Sequence, residues 1–348
     1  MLTEKAMVRE LRNNQDAYLP LKVEFRHSPQ STIDPSDLSI DIKWRDRKVN
    51  FAAEMKTRTS PKGILQTLVQ MRSVAPQFRQ KFLLLVPYLS KTITEMLIQD
   101  GVSGLDLNGN YLIQTDSIVA IRVDRPNRFT ESQPIKKIFS KNSSIVGRLF
   151  LVKGGGFQSL HEIGSKIAQL GGSLSLSAIS KLLKALEEEL IIEKTPGHIH
   201  LLQPEKLLER LGDGYVLPTI TGIRKVKIPQ IEQDFAEKFV PLIPSSSRWV
   251  ISGESSAKHY TQTAQPDVLT LYTNDFGSSA ERDDDHSYNL VVKETPDFFP
   301  FFDSREIEGT RWSSPLQCYL ELSKLAATQS DLLLKLKQMI LTNHPLRT

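Results

Sequence analysis

Apolar and polar residues alternate in two neighbouring stretches near the start of the chain, LSIDIKW at 38–44 and VNFAAEMK at 49–56. A period of two is typical of strands with one buried face, and the charged residues between the stretches indicate a hairpin turn. The continuous apolar run KFLLLVPYL at 81–89 indicates a strand that is buried on both faces. Helical patterns flank this run, and a later Asn-Gly pair is a second hairpin-turn signal. We therefore predict an α/β domain over residues 1–133.

The middle of the chain changes to a helical period. SSIVGRLFLV at 143–152 is amphipathic, and Ser159 with Glu162 forms a capping box for a second helix. A third helix is predicted at about residues 177–190 from the helical spacing of its apolar positions. These positions are Ile179, Leu182, Leu183, Leu186 and Leu190. Two β-type runs then meet at a Pro-Gly turn in LIIEKTPGHIHLL. Three short helices and a hairpin are the layout of a winged helix-turn-helix, which we place at residues 134–214.

The last part of the chain combines strands and helices again. RWVISG, DVLTLYT and YNLVVKE have strand patterns, and a Ser-Pro pair caps one of the helical segments near the end. Residues 218–229 are predicted as a linker, residues from 230 onward as a helix, and SSAERDDDHS at 278–287 as an acidic loop. We therefore predict a further α/β domain over residues 215–348.

The overall composition is that of a soluble chain with more than one domain. The 348 residues are 39% hydrophobic and 24% charged, and the formal net charge is +4. The single cysteine, Cys318, excludes an intramolecular disulfide framework, and no cysteine cluster suggests a structural zinc. No apolar run approaches the roughly 18 residues of a membrane span, and the charged N-terminal segment differs from a secretory signal. We therefore expect a cytoplasmic protein with no membrane partner.

The third helix of the middle domain carries polar and basic residues opposite its apolar face. In a helix-turn-helix, the N-terminal half of this helix enters the major groove, where short donors and lysines suit contacts with DNA. Residues 135–210 contain 11 Lys and Arg against 7 Asp and Glu, an excess of +4 that equals the excess of the whole chain. The candidate DNA-binding residues are Ser177, Ser180, Lys181 and Lys184 on the helix, and Lys194 and His198 on the hairpin. The alternatives are a solvated helix face or a winged helix that binds protein.

Asp41, Glu54 and Lys56 form the pattern Asp-x(12)-Glu-x-Lys on the two predicted strands. Alternation places Glu54 and Lys56 on one face, and Asp41 lies on the polar face of the preceding strand. Two carboxylates that converge there can bind Mg²⁺, and a lysine can orient the water that cleaves a phosphodiester. The spacing is similar to that of the restriction-endonuclease-like superfamily, the PD-(D/E)XK nucleases. The alternative is an ion pair on a solvated strand.

In the last domain, VISGESSAKHY followed by DVLTLYT resembles the start of a nucleotidyltransferase. Those enzymes hold paired metal ions with two carboxylates on one strand. Asp267 is present, but Leu269 stands where the second carboxylate is needed. We therefore expect a nucleotidyltransferase-like domain that does not transfer nucleotides.

Five motifs of the chain carry a resemblance to a known family. They are GVSGLDLNGNYLI, SSIVGRLFLV, LSLSAISKLLKALEEELII, SGESSAKHY and SPLQCYLELSKLA. Together they resemble the bacterial AbiEi-like regulators, which are antitoxins of type IV toxin-antitoxin systems. The similarity extends from about residue 37 to about residue 340. It implies a transcriptional regulator or antitoxin whose usual partner is a nucleotidyltransferase toxin.

Three functions are compatible with the sequence. The first, which we expect, is a DNA-binding transcriptional regulator of the antitoxin type that binds duplex DNA through the winged helix, needs no cofactor, and has a homodimer as one option. The second is an Mg²⁺-dependent deoxyribonuclease that uses the winged helix to find its substrate. The third is an antitoxin that binds only protein. In each case the expected domains, in chain order, are restriction-endonuclease-like, winged helix-turn-helix and nucleotidyltransferase-like.

Overall fold

The computed structural model describes residues 2–27, 38–72, 82–129, 136–154, 156–228, 240–264, 266–277, 288–325 and 330–342. The chain divides into two compact units, residues 1–135 and 136–348. Sheets and helices are combined in both units, which confirms the predicted α/β class at that level. None of the described helices is long and apolar enough to span a membrane.

The described part of the first unit is a seven-stranded sheet with helices. Its elements are α1 (Glu4–Asn13), β1 (Lys22–His27), β2 (Leu38–Trp44), β3 (Arg47–Met55), α2 (Pro61–Arg72), β4 (Phe82–Val86), α3 (Lys91–Asp100), β5 (Ser103–Asp106), β6 (Tyr111–Gln114) and β7 (Val119–Arg122). The strands lie side by side in chain order. β3, β4 and β5 are parallel to one another, and the other neighbouring pairs are antiparallel. The predicted hairpin and the predicted buried strand are both present.

Alternate residues of β4 contact different helical layers. Leu83 and Leu85 lie in the same apolar cluster as Met7 of α1. Leu84 and Val86 lie in a second cluster, to which α2 and α3 contribute. The run of β4 is apolar at every position because helices cover both faces of the sheet there.

A buried carboxylate holds the turn between β5 and β6. Asp106 accepts hydrogen bonds from the backbone N–H groups of Leu89, Asn108 and Asn110 at 2.8–3.0 Å, and from the side-chain amide of Asn110 at 2.7 Å. Burial raises the pKa of Asp106, and these hydrogen bonds act in the opposite direction. Gly109 has φ +91°, as the predicted Asn-Gly turn requires. The residues DLNGN, which are part of the motif GVSGLDLNGNYLI, are therefore explained by the structure of this turn.

The described first part of the second unit contains four α-helices and a small sheet. These elements are α4 (Ile145–Lys153), β8 (Gly156–Phe157), α5 (Leu160–Gln169), α6 (Leu176–Glu188), β9 (Ile192–Thr195), β10 (His198–Leu201) and α7 (Pro204–Gly214). The predicted helices and hairpin are confirmed, and β8 adds a strand beside β10 that the periodicity does not indicate. Ser159 caps α5 by accepting the N–H of Glu162 at 3.2 Å. The Glu162 carboxylate accepts the N–H of Gln158 at 2.7 Å, one residue before the position expected for a capping box.

A six-stranded mixed sheet occupies the remainder of the second unit as described. Its elements are β11 (Gly222–Val226), β12 (Trp249–Ser252), α8 (Gly253–Thr261), β13 (Leu269–Thr273), β14 (Leu290–Glu294), β15 (Arg305–Ile307), β16 (Thr310–Trp312), α9 (Pro315–Leu322) and α10 (Ser330–Thr342). The strand order is β11-β14-β13-β12-β16-β15. The predicted linker at 218–229 is wrong where β11 pairs with β14. An edge strand buries little side-chain area, so its apolar pattern is weak. The predicted helix from residue 230 begins outside the described residues, as does the acidic loop at 278–287.

A buried polar network joins α4 to α9 within the second unit. Arg148 is 2% exposed and donates to Gln317 Oε1 at 2.7 Å, to the Phe299 carbonyl at 3.2 Å and to Ser144 Oγ at 3.0 Å. Gln317 Nε2 in turn donates to Glu321 Oε1 at 2.5 Å. Burial lowers the pKa of Arg148 to about 10 and raises the pKa of Glu321. One glutamine side chain therefore links a buried guanidinium to a buried carboxylate.

Candidate nucleic-acid interface

Helix α6 begins at a capped N-terminus and buries one of its faces. Ser175 Oγ accepts the N–H of Ala178 at 3.2 Å. Ile179, Leu183 and Leu186 are buried in the apolar core of the second unit. The apolar face is the one that the helical spacing predicts, and it leaves the opposite face of α6 to solvent.

The predicted DNA-binding residues of α6 are all exposed. They are Ser177, Ser180, Lys181 and Lys184. Neither lysine forms an ion pair with any residue in the described ranges. At the C-terminal end of the helix, Glu189 is buried and lies 3.1 Å from the guanidinium of Arg210. Positive charge is therefore presented by the exposed face of α6 at Lys181 and Lys184, while this glutamate is neutralised within the fold.

The two predicted residues of the hairpin have different environments. Lys194 is half-buried, and its Nζ lies 3.4 Å from the carboxylate of Glu187 on α6. His198 is exposed, and its ring stacks on His200 with the centroids 5.3 Å apart. Gly197, between the strands, has φ +79°. Lys194 therefore ties the hairpin to α6, and His198 remains accessible at the turn.

The register of β2 and β3 separates Asp41 from Glu54. Asp41 lies opposite Asn50, and Glu54 follows four residues further along β3. At about 3.4 Å per residue, the two Cα atoms are about 14 Å apart. Carboxylates that share one Mg²⁺ each place an oxygen about 2.1 Å from the ion. The expected convergence of Asp41 with Glu54 and Lys56 on one metal is therefore wrong, because a tight turn fixes the register of this hairpin.

Each of the two carboxylates has a lysine partner. Glu54 Oε1 lies 2.8 Å from Lys56 Nζ, and the two side chains are 39% and 33% exposed. Asp41 is buried, accepts the side-chain amide of Asn50 at 2.8 Å and lies 2.8 Å from Lys48 Nζ. The Glu54–Lys56 pair matches the solvated ion pair of the alternative interpretation, and Asp41 cross-links β2 to β3.

Replacing Asp41 should therefore affect stability more than replacing Glu54. We expect Asp41→Ala to lower the free energy of unfolding by about 1–3 kcal/mol, because the hydrogen bond from Asn50 to a charged, buried acceptor and the ion pair with Lys48 are both lost. Glu54→Ala is the matched control and should cost less than about 1 kcal/mol, since its ion pair is exposed. Urea unfolding of the full chain measures both. A larger loss for Glu54→Ala than for Asp41→Ala would rule out these roles.

The nucleotidyltransferase-like stretch at residues 250–273 contains a helix that its sequence pattern does not predict. Helix α8 lies between β12 and β13, a stretch in which no helix is predicted. Asp267 is exposed and precedes β13, and Leu269 is buried at the first position of that strand. β13 itself carries no carboxylate. The absence of nucleotide transfer stays a prediction, and the strand offers no pair of metal ligands for it.

Among the residues that the structure describes, no three His, Cys, Asp or Glu side chains lie close enough together to hold a metal ion. Comparison of the chain with protein families, with curated proteins and with solved structures found no match.

Proposed function

We propose that the chain is a DNA-binding transcriptional regulator that contacts duplex DNA through the exposed face of α6. One observation carries the proposal: a capped and well-packed helix presents two serines and two lysines to solvent on one face between residues 177 and 184. Neither lysine is neutralised by another described residue. Short hydroxyl donors and lysines are the side chains that contact DNA phosphates.

The order of elements supports this proposal. α4, β8, α5, α6, β9 and β10 follow one another as in a winged helix-turn-helix. In that arrangement α6 is the helix that enters the major groove, and the β9–β10 hairpin is the wing. Because Lys194 is paired with Glu187, we expect Lys181 and Lys184 to supply more of the affinity than the wing does.

Lys181→Ala combined with Lys184→Ala should weaken duplex binding and flatten its dependence on salt. Each phosphate contact that is lost removes about 0.9 from the slope of log affinity against log salt concentration. The double variant should therefore bind with a slope smaller by up to about 1.8. Fluorescence anisotropy of a labelled duplex of mixed sequence, titrated with the full chain at several salt concentrations, measures both quantities.

The matched control replaces two exposed lysines on other elements of the same unit. Lys225 lies on β11 and Lys335 on α10. The double variant Lys225→Ala with Lys335→Ala removes the same charge from the chain and should keep the wild-type slope. If both double variants change the slope equally, net charge rather than α6 determines the binding, and the proposal fails.

The first unit is proposed to be a restriction-endonuclease-like scaffold. Parallel strands at the centre of the sheet, apolar clusters with helices on both faces, and the Glu54-x-Lys56 sequence at the end of β3 support that interpretation. The nuclease alternative has less support, because the register keeps Asp41 away from Glu54. The antitoxin role and a nucleotidyltransferase toxin as partner rest on the sequence resemblance and are proposed with it.

A further inference from the structure

A cavity of about 560 Å³ lies in the second unit beside α8 and α9. This volume is in the usual range of small-molecule sites. The apolar residues of its lining include Leu217, Ile220 and Leu325, which are 37–51% exposed. The polar groups of the lining include Ser255, Thr270, Lys293 and Glu321. An apolar lining with a few polar side chains is the composition of a ligand site.

Glu321 lines this cavity, and one of its two carboxylate oxygens accepts no hydrogen bond from a described residue. The residue is 4% exposed, and its Oε1 accepts Gln317 Nε2 at 2.5 Å and Ser252 Oγ at 2.9 Å. Its Oε2 accepts no hydrogen bond from the residues that the structure describes. That oxygen lies beside Gly253 of the cavity lining, where an added Cβ would be 3.5 Å from it. Because no described residue donates to Oε2, this oxygen is available to a ligand group that donates a hydrogen bond.

A lysine also lines this cavity, and the second carboxylate of the lining, Glu254, is paired with Lys258 at 2.7 Å. Lys293 of β14 forms no ion pair within the described ranges, and its Nζ lies 5.8 Å from the ring centroid of Tyr272.

Helix α8 begins at the cavity with Gly253, and the Ser252 side chain does not cap it. The Ser252 hydroxyl instead donates to Glu321 and accepts from Ser313 at 2.7 Å. The first N–H groups of an uncapped helix attract an anion. An acidic group of the ligand is therefore favoured next to the group that binds Glu321.

We propose that this cavity binds a free α-amino acid with an apolar side chain. Its ammonium group donates to Oε2 of Glu321, and its carboxylate accepts hydrogen bonds from Lys293 and from the first N–H groups of α8. Its side chain packs against the apolar lining residues Leu217 and Ile220. A phosphorylated ligand is disfavoured because a phosphate at α8 would place nearly two negative charges, and not one, beside the Glu321 carboxylate. A simple cation is disfavoured because Lys293 also lines the cavity. The site does not depend on the proposal that α6 binds DNA.

Isothermal titration calorimetry of the full chain tests the site with five probes: valine, leucine, isoleucine, methionine and phenylalanine. We expect at least one to bind with a Kd below about 1 mM. The amine that lacks the carboxylate of the tightest ligand, and the acid that lacks its ammonium group, should each bind at least about tenfold more weakly. ATP serves as the phosphorylated comparison.

Three variants locate the binding. Glu321→Gln keeps an acceptor for Gln317 and Ser252 but places an amide donor where Oε2 lies, so amino-acid affinity should fall at least about tenfold. Lys293→Met should lower the affinity for the amino acid and leave the affinity for the amine that lacks its carboxylate unchanged. Lys225→Met, on β11 outside the cavity lining, is the matched control and should bind as the wild type does. Circular dichroism establishes that each variant is folded.

Three results would overturn the proposal. The first is no binding of any of the five amino acids at about 10 mM. The second is binding of ATP in their place. The third is wild-type affinity in both the Glu321→Gln and the Lys293→Met variants. Because Lys293 lies on β14 and makes no hydrogen bond to Glu321, wild-type affinity in its variant alone overturns the proposal if Glu321→Gln does not fold.

Discussion

Arg148→Met should lower the free energy of unfolding of the second unit by about 3–5 kcal/mol. Methionine preserves much of the volume but removes the donors to Gln317, the Phe299 carbonyl and Ser144. It also removes the positive charge that the glutamine links to the buried carboxylate of Glu321. Thermal unfolding of the full chain should show the transition of this unit lowered by about 6–20 °C.

Two further variants show whether the loss comes from the buried network. Combining Arg148→Met with Glu321→Gln should recover part of the stability, because the carboxylate then no longer lacks a compensating charge. Arg311→Met removes an arginine that is 44% exposed and lies 3.3 Å from Glu306, and it should cost less than about 1 kcal/mol. A similarly small loss for Arg148→Met would mean that the network does not hold α4 against α9.

Gly109→Ala should destabilise the first unit by about 2–5 kcal/mol. Gly109 has φ +91°, a conformation that an L-residue adopts only with strain. A Cβ at this position would lie 2.7 Å from the carbonyl oxygen of Ala17 and 2.9 Å from its Cβ. The backbone must move to relieve these contacts, and the Asp106 turn is attached to it. Urea unfolding of the full chain measures the effect, with protease cleavage within residues 1–135 as the signal that reports unfolding of the first unit.

Gly101→Ala is the matched control for the conformational part of that loss. Gly101 also has a positive φ, +63°, but an added Cβ would meet no atom within 4 Å. Its replacement should therefore cost only about 1 kcal/mol, from backbone strain alone. If the two variants lose equal stability, the close approach of Gly109 to Ala17 is not what requires glycine.

Local apolar patterns were sufficient to predict the elements whose buried positions are clear in the sequence. The apolar spacing of α6 and the unbroken run of β4 each predict their element, because burial of those side chains is what stabilises it. The exposed face of α6 follows directly from its buried face. The candidate DNA-binding residues of this helix could thus be named from the sequence.

Strand register and buried polar groups could not be obtained in the same way. The Asp-x(12)-Glu spacing does not determine which residues of β2 and β3 lie opposite each other. The turn at 45–46 sets this register and places Asn50 opposite Asp41. In the sequence, Gln317 and Glu321 look like solvent-exposed polar positions of a helix, although both are buried in the structure. One signal was present: SPLQCYLELSKLA is apolar around most of its circumference, so its polar residues had to lie inside the fold.

Cross-linking from the exposed face of α6 is the most direct test of DNA binding by this chain. Cys318 is the single cysteine of the sequence and is buried, so Ser180→Cys provides the accessible thiol for a photoreactive cross-linker. Glu209→Cys, at an exposed position of α7, is the matched control. The account predicts that position 180 cross-links to a bound duplex, that the yield falls as salt is raised, and that position 209 gives only background. Equal yields from the two positions, or no cross-link from position 180 when the duplex is bound, would contradict it.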